Sequence, residues 1–166
     1  MKAIQGIKIR RAMATDAENI WEVRKQAILF GCRKHYPSDL LESWGKSPMP
    51  VTFASFVQNE PFYVAETESR MVGFAGLKRS ASEVNAVFVL PEVAGHGVGM
   101  RLLQHLETFA QENKIPILTL SASLNSVPFY KACGYKEGSK GLHTTTSGLQ
   151  IECVSMEKEL GHPARA

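Results

Sequence analysis

The spacing of apolar and polar positions divides the chain into short strands and amphipathic helices. "GIKIRRA" (residues 6–12) alternates and predicts a first strand. Ile20, Val23, Ala27 and Ile28 then recur at helical spacing, with Thr15 or Asp16 placed to cap that helix. "GCRKHYPSDLLESWGKSPMP" (31–50) reads as a break and a short helix, capped by Ser38 or Asp39 and ended at Trp44-Gly45. A further short helix fits "VTFASFVQN" (51–59). "PFYVAET" (61–67) and "RMVGFAGL" (70–77) are two strands about a polar turn, hence a hairpin. "SEVNAVFVL" (82–90) is a strand closed by Pro91, and Leu102, Leu103, Leu106, Phe109 and Ala110 place a helix over 98–113. "PILTLSAS" (116–123) is a strand, "SVPFYKACGY" (126–135) a short helix stopped at Gly134, and 135–158 two strands around "TTTSG".

Read in order, these elements predict an α/β (α+β) fold. Its central sheet is mixed and mostly antiparallel, of six to seven strands, with helices on both faces. The strand–helix–strand unit over 83–122 is expected to be a right-handed parallel crossover. A chain of 166 residues without repeats or low-complexity segments suggests a single domain over 1–160, with 161–166 ("GHPARA") a loose tail.

Charge and cysteine usage narrow the partners. Nineteen basic and 16 acidic side chains leave a formal charge of +3, which suits an anionic ligand but is too small to argue for nucleic acid. Cys32, Cys133 and Cys153 have no metal-ligand spacing, so no metal is expected. Free thiols with no signal peptide ahead of them point to the cytoplasm, and no apolar run is long enough for a membrane span.

The chemistry concentrates between Val87 and Glu107. An apolar strand (Val87, Phe88, Val89) ends at Pro91, and glycines follow at every second position, Gly95, Gly97 and Gly99, before an amphipathic helix. Glycine lets a ligand approach the backbone, and the first amides of a helix have no intrahelical partner. With the helix dipole they form an anion site, so the loop can cradle a phosphate. A P-loop would end in Gly-Lys-Ser/Thr, whereas this loop ends Gly99-Met100-Arg101. The dinucleotide pattern begun at Gly95 would need glycine where Met100 stands.

The stretch "VLPEVAGHGVGMRLL" (89–103) resembles the acyl-CoA pyrophosphate loop of the GCN5-related N-acetyltransferases, the GNAT family. Its core reads Ala94-Gly95-His96-Gly97-Val98-Gly99; the family usually has Arg or Gln where this chain has Ala94, which shifts binding toward backbone amides. One helix and one strand later, "SASLNSVPFYKACGY" (121–135) resembles the family's downstream motif, with Asn125, Phe129, Tyr130, Gly134 and Tyr135 in its places. "HYPSDLLESW" (35–44) is similar to a segment of one branch of small bacterial-type members.

The resemblance implies the GNAT fold, a splayed strand pair holding acyl-CoA, and acetyl transfer to a primary amine of a small molecule or peptide by direct attack in a ternary complex. It places acetyl-CoA against Val87, Phe88, Val89, Ala94, Gly95, His96, Gly97, Val98, Gly99, Met100, Asn125, Phe129 and Tyr130. Tyr130 becomes the candidate acid for the leaving thiolate, and Glu83 the candidate base, directly or through a water. His35, Tyr36, Trp44 and His143 are candidates for the acceptor pocket, and either histidine is an alternative base. Asn125 is expected to orient the cofactor arm or cap a helix. Cys133 reads as packing. The resemblance implies no metal and a monomer or homodimer. A non-catalytic acyl-CoA-binding sensor is the alternative from another class, since a fold does not guarantee a reaction.

Overall fold

Seven strands form one continuous sheet in the computed structural model, which describes residues 6–161. The strands are β1 (Lys8–Arg11), β2 (Phe62–Glu66), β3 (Met71–Lys78), β4 (Glu83–Val89), β5 (Ile117–Ser123), β6 (Lys136–Thr144) and β7 (Gln150–Glu159), in the order β1-β2-β3-β4-β5-β7-β6. Every neighbouring pair is antiparallel except β4 and β5, so the mixed, mostly antiparallel sheet is as expected. Residues 162–166 of the tail lie outside the described residues.

Five helices cover the sheet: α1 (Ala17–Gln26), α2 (Ser38–Gly45), α3 (Phe53–Asn59), α4 (Val98–Glu112) and α5 (Val127–Ala132). The pleat of β3 assigns two of them to opposite faces. A side chain at Gly73 would meet Leu102 of α4. The next residue, Phe74, points the other way and stacks on Phe62, whose ring meets Phe53 and Phe56 of α3 edge-on. The core runs through both layers; Ile20, Phe62, Val64, Leu102, Leu106 and Leu118 are fully shielded from water. Each such side chain contributes about 1.5–3 kcal/mol of burial free energy.

Two expected caps are corrected. Asp16 does not cap α1. Residues Ala14–Asp16 form a 3-10 turn ahead of it, and the Asp16 carboxylate accepts the Met13 N–H at 2.7 Å one turn earlier, while Arg10 donates to both its oxygens. Ser38 and Asp39 do not cap α2 either. Pro37, in extended conformation, precedes the helix, and Ser38 is already its first residue. Pro37 occupies the N-cap position, where a hydroxyl or carboxylate cap was expected, and its fixed φ suits the extended entry to the helix.

Periodicity did not indicate two irregularities. α1 widens into a π turn over Ala27–Gly31, and such turns recur where a helix lines a functional site. In β4, Val84 pairs with Leu77 and Ala86 with Gly76, which leaves Asn85 as the extra residue of a bulge.

Candidate active site

The parallel pair β4–β5 is joined at one position, Glu83 with Thr119, supported by the Thr119 N–H donating to the Ser82 carbonyl at 3.0 Å. Beyond it β4 stays with β3 as far as Val89, and β5 stays with β7 as far as Ser123. The two strands therefore diverge toward their C-terminal ends and leave facing backbone edges without a strand partner. Buried backbone polar groups require partners, so an unfilled split in the middle of a sheet is a place for something strand-like to bind.

A cleft of about 1410 Å³ opens at this split. Val87, Phe88 and Val89 line it, and so do Ala94, Gly95, Gly97, Gly99 and Met100 at the wide end. Gly95 and Gly97 both have φ of +81°, a region L side chains avoid, and neither has any atom within 4 Å of where a Cβ would stand. The loop is bare on its open side. The first intrahelical bond of α4 is made by the Arg101 N–H to the Gly97 carbonyl, so the amides of Val98, Gly99 and Met100 have no acceptor within the helix, and no side chain caps it. Gly99 is confined for a different reason. A Cβ there would press within 3.3 Å of the Phe129 ring.

Two residues of the loop do not lie as expected. Val98 is buried beneath the loop, and the His96 ring is not part of the cleft wall. The buried Val98 side chain is therefore closed to a ligand in the cleft, although its amide is not, and the partly exposed His96 ring stands beside the loop and not on the wall.

The downstream motif forms the facing wall. Asn125 lies in a 3-10 turn (Leu124–Ser126) on the cleft wall and caps nothing; its Oδ1 is buried with no hydrogen-bond partner among the described residues. Of its two expected roles, the helix cap is therefore not formed. Phe129 and Tyr130 line the same wall, their rings edge to face at 5.0 Å, and Tyr130 meets Tyr135 at 5.7 Å. Burial first, and the nearby Cys133 thiol second, push the Tyr130 phenol well above its ordinary pKa. The hydroxyl therefore stays protonated through the neutral range and is a donor there.

Of the expected acceptor-side residues, Trp44 and His143 line the cleft and His35 does not; it is exposed outside the cleft wall. Tyr36 is corrected more sharply. It is buried, donates to the Glu152 carbonyl at 2.6 Å and accepts the Leu124 N–H at 3.0 Å. Burial raises it to about 12. Its hydroxyl is occupied in tying the α1–α2 connection to β7 and the end of β5. Glu83, expected as base, lies at the closed end of the split and is not part of the wall, whereas Asn85 two residues on is.

Three of the wall residues that sequence reasoning missed bear on the chemistry. Cys32 and Cys153 are buried on the wall, and burial raises the Cys32 thiol to about 11 while the polar Asn125 and Ser123 side chains pull the other way. Arg24 is the third. It lies on the same stripe of α1 as Ile20 and Ala27, and a cation within an apolar stripe is the signal that marks it. Among the described residues no cluster of three or more His, Cys, Asp or Glu side chains could hold a metal ion, and no helix is long and apolar enough to cross a membrane.

Comparison with known proteins agrees with this geometry. Residues 32–160 match the family model described as an acetyltransferase (GNAT) domain. The peptidyl-lysine N-acetyltransferase YjaB of Salmonella typhimurium is 27% identical over 134 residues, which cover 78% of this chain and 83% of that protein. Among solved structures, a GCN5-related N-acetyltransferase of Rhodopseudomonas palustris superposes with a TM-score of 0.86 at 24% identity, over 96% of this chain and 99% of that one. YncA of Salmonella typhimurium, solved with acetyl-CoA, superposes with a TM-score of 0.65 at 19% identity, over 98% of each chain. The split sheet, the bare amide loop after β4 and the family match over most of the chain agree: this protein belongs to the GNAT acetyltransferase family.

Proposed function

We propose that the cleft binds acetyl-CoA along the split and passes its acetyl group directly to a primary amine bound against α1 and α3. The observation that carries this reading is the divergence of β4 from β5 after a single pair, opening onto helix amides that have no acceptor. The pantetheine arm supplies the missing strand to β4, and the pyrophosphate lies on the amides of 98–100, where the helix dipole favours negative charge. With alanine at position 94, the loop holds phosphate through its backbone and not through a long side chain.

The amine enters from the side lined by Trp21, Trp44, Phe53 and Phe56. A backbone amide near Val89 donates to the thioester oxygen as negative charge develops on it. Tyr130 donates to the departing sulfur. Its burial makes early proton loss unfavourable, so the proton moves only as charge builds on the thiolate. His143, the one imidazole on the cleft wall among the described residues, takes the amine proton in preference to Glu83, which is off the wall.

Two measurements test this reading. Calorimetric titration of acetyl-CoA is expected to show saturable binding, and thiol release with an amine panel is expected to show turnover. Tyr130→Phe should lower kcat by about 100-fold while acetyl-CoA affinity holds within twofold. Equal kcat would remove Tyr130 from the chemistry. Binding without turnover of any amine would favour an acyl-CoA sensor. His143→Asn should displace the acidic limb of the rate profile and Glu83→Gln should leave it in place; the reverse would return the base role to Glu83.

A further inference from the structure

The acceptor side of the cleft contains a buried cation without a counter-ion among the described residues. Arg24 is 9% exposed. Its Nη2 donates to the Trp44 carbonyl at 3.1 Å and to the Ser47 hydroxyl at 3.3 Å, both neutral acceptors. Its Nη1 is buried and has no partner among the described residues. The guanidinium stacks over the Trp21 ring at 4.2 Å, and the Trp21 indole N–H is itself fixed to the Ser47 carbonyl at 3.0 Å. Burial lowers the Arg24 pKa to about 10, with no acidic neighbour opposing it. Arginine is rarely buried unless paired, and an orphaned charged donor is costly to keep.

The surrounding charges point the same way. The cleft wall carries Arg24 and Lys78 but a single carboxylate, Glu60, and that carboxylate accepts from the Arg79 backbone N–H at 3.0 Å and its Nε at 3.4 Å. Lys78 lies opposite Glu83 in the β3–β4 register, at the end of β3 away from the glycine loop, so it does not serve the phosphate end. A polyamine or a lysine flanked by cations would meet net positive charge here. An amine that also carries a carboxylate would supply the acceptor Arg24 lacks.

We infer that Arg24 is a specificity residue and that the acceptor is an amine bearing a carboxylate, of the amino-acid class. The inference rests on the acetyltransferase reading and narrows its acceptor. The guanidinium is held by only two neutral acceptors along a flat indole face. A short slide along that face presents its free edge to the cleft, where planar guanidinium and carboxylate form paired hydrogen bonds. The aromatic wall then packs the rest of the acceptor, and the amine is directed toward the split.

The test uses the full chain and three probe series: free amino acids, the same amino acids as amides, and lysine peptides blocked at both termini or free at the carboxyl end. Thiol release gives kcat and KM, and calorimetry on the CoA complex gives binding independent of turnover. The free acids are expected to show a KM roughly 10- to 100-fold below that of their amides, the value of a charged hydrogen-bonded pair. Arg24→Gln should erase that ratio through KM, with acetyl-CoA affinity unchanged, and Arg24→Lys should restore part of it. A preference confined to peptides with a free carboxyl end would place the carboxylate on a chain terminus; free amino acids working alone would identify a metabolite. Amides matching acids in the native protein would overturn the inference, as would a ratio that survives in Arg24→Gln. Acetyl-CoA bound with no carboxylate bound or turned over would also overturn it, and leave the cofactor site standing. If Arg24→Gln fails to fold, the acid-to-amide ratio of the native protein and the Arg24→Lys variant decide the matter.

Discussion

Replacing Tyr36 by phenylalanine separates two accounts of a residue that sequence reasoning placed in the acceptor pocket. The substitution removes one oxygen and keeps the ring, including its edge-on contact with Trp44 at 5.7 Å, so no cavity forms. The oxygen makes two bonds, at 2.6 Å to the Glu152 carbonyl and 3.0 Å from the Leu124 N–H. Each contributes about 1 kcal/mol net, and stranding two main-chain groups away from water adds about another 1 kcal/mol, giving about 3 kcal/mol in all. For a domain of this size that corresponds to a Tm lower by about 6–12 °C. Urea denaturation is the assay: Cm should fall with m unchanged, since the surface exposed on unfolding is the same. The KM for the acceptor should rise by no more than the loosening of the α1–α2 connection allows, about twofold. Loss of less than about 1 kcal/mol, together with a large rise in acceptor KM, would refute the reasoning and return Tyr36 to the substrate.

Three other outcomes follow from the structure. Asp16 is held below its ordinary pKa of 3.8, chiefly by Arg10, against the opposing effect of burial. A depressed carboxylate stabilises the fold above its unfolded pKa and loses that contribution as pH falls through the folded one. Asp16→Asn should therefore be less stable than the native protein at pH 7, with the difference shrinking below about pH 4 in a series of denaturant titrations. Lys158 donates to both Glu107 oxygens and to the Cys133 carbonyl, tying β7 to α4 and to the end of α5. Lys158→Met leaves that carboxylate buried without a cation and should cost about 3 kcal/mol, more than half of it recovered in the double variant Glu107→Gln/Lys158→Met. Gly97→Val puts a β-branched side chain at φ +81°, so it should cost about 1–2 kcal/mol in stability and weaken acetyl-CoA binding in calorimetry. Gly141→Val, on the exposed strand β6 with open space around it, should do neither.

What the chain determined by itself is local. Strand alternation and the helical stripe of α4 reflect which side chains can leave water, and that is written residue by residue. The glycine loop was legible because positive φ and close ligand approach select glycine whatever surrounds them. Asn125 to Tyr135 was legible as a motif because its order relative to the loop is itself sequence. The tertiary structure decided everything that depends on what comes to lie opposite what. The split has no residue code: it arises because β4 stays with β3 and β5 with β7, so their shared edge separates after Glu83 and Thr119. The bulge at Asn85 comes from register against β3, and Asn85 stands on the wall while the expected base does not. Tyr36 carries the same phenol whether it meets a substrate or two main-chain groups, and only packing chose the second. Arg24 interrupts an apolar stripe in the sequence, but that its charge is buried without an acidic partner is a fact about distant segments, because Coulomb interactions and desolvation act through space and not along the chain.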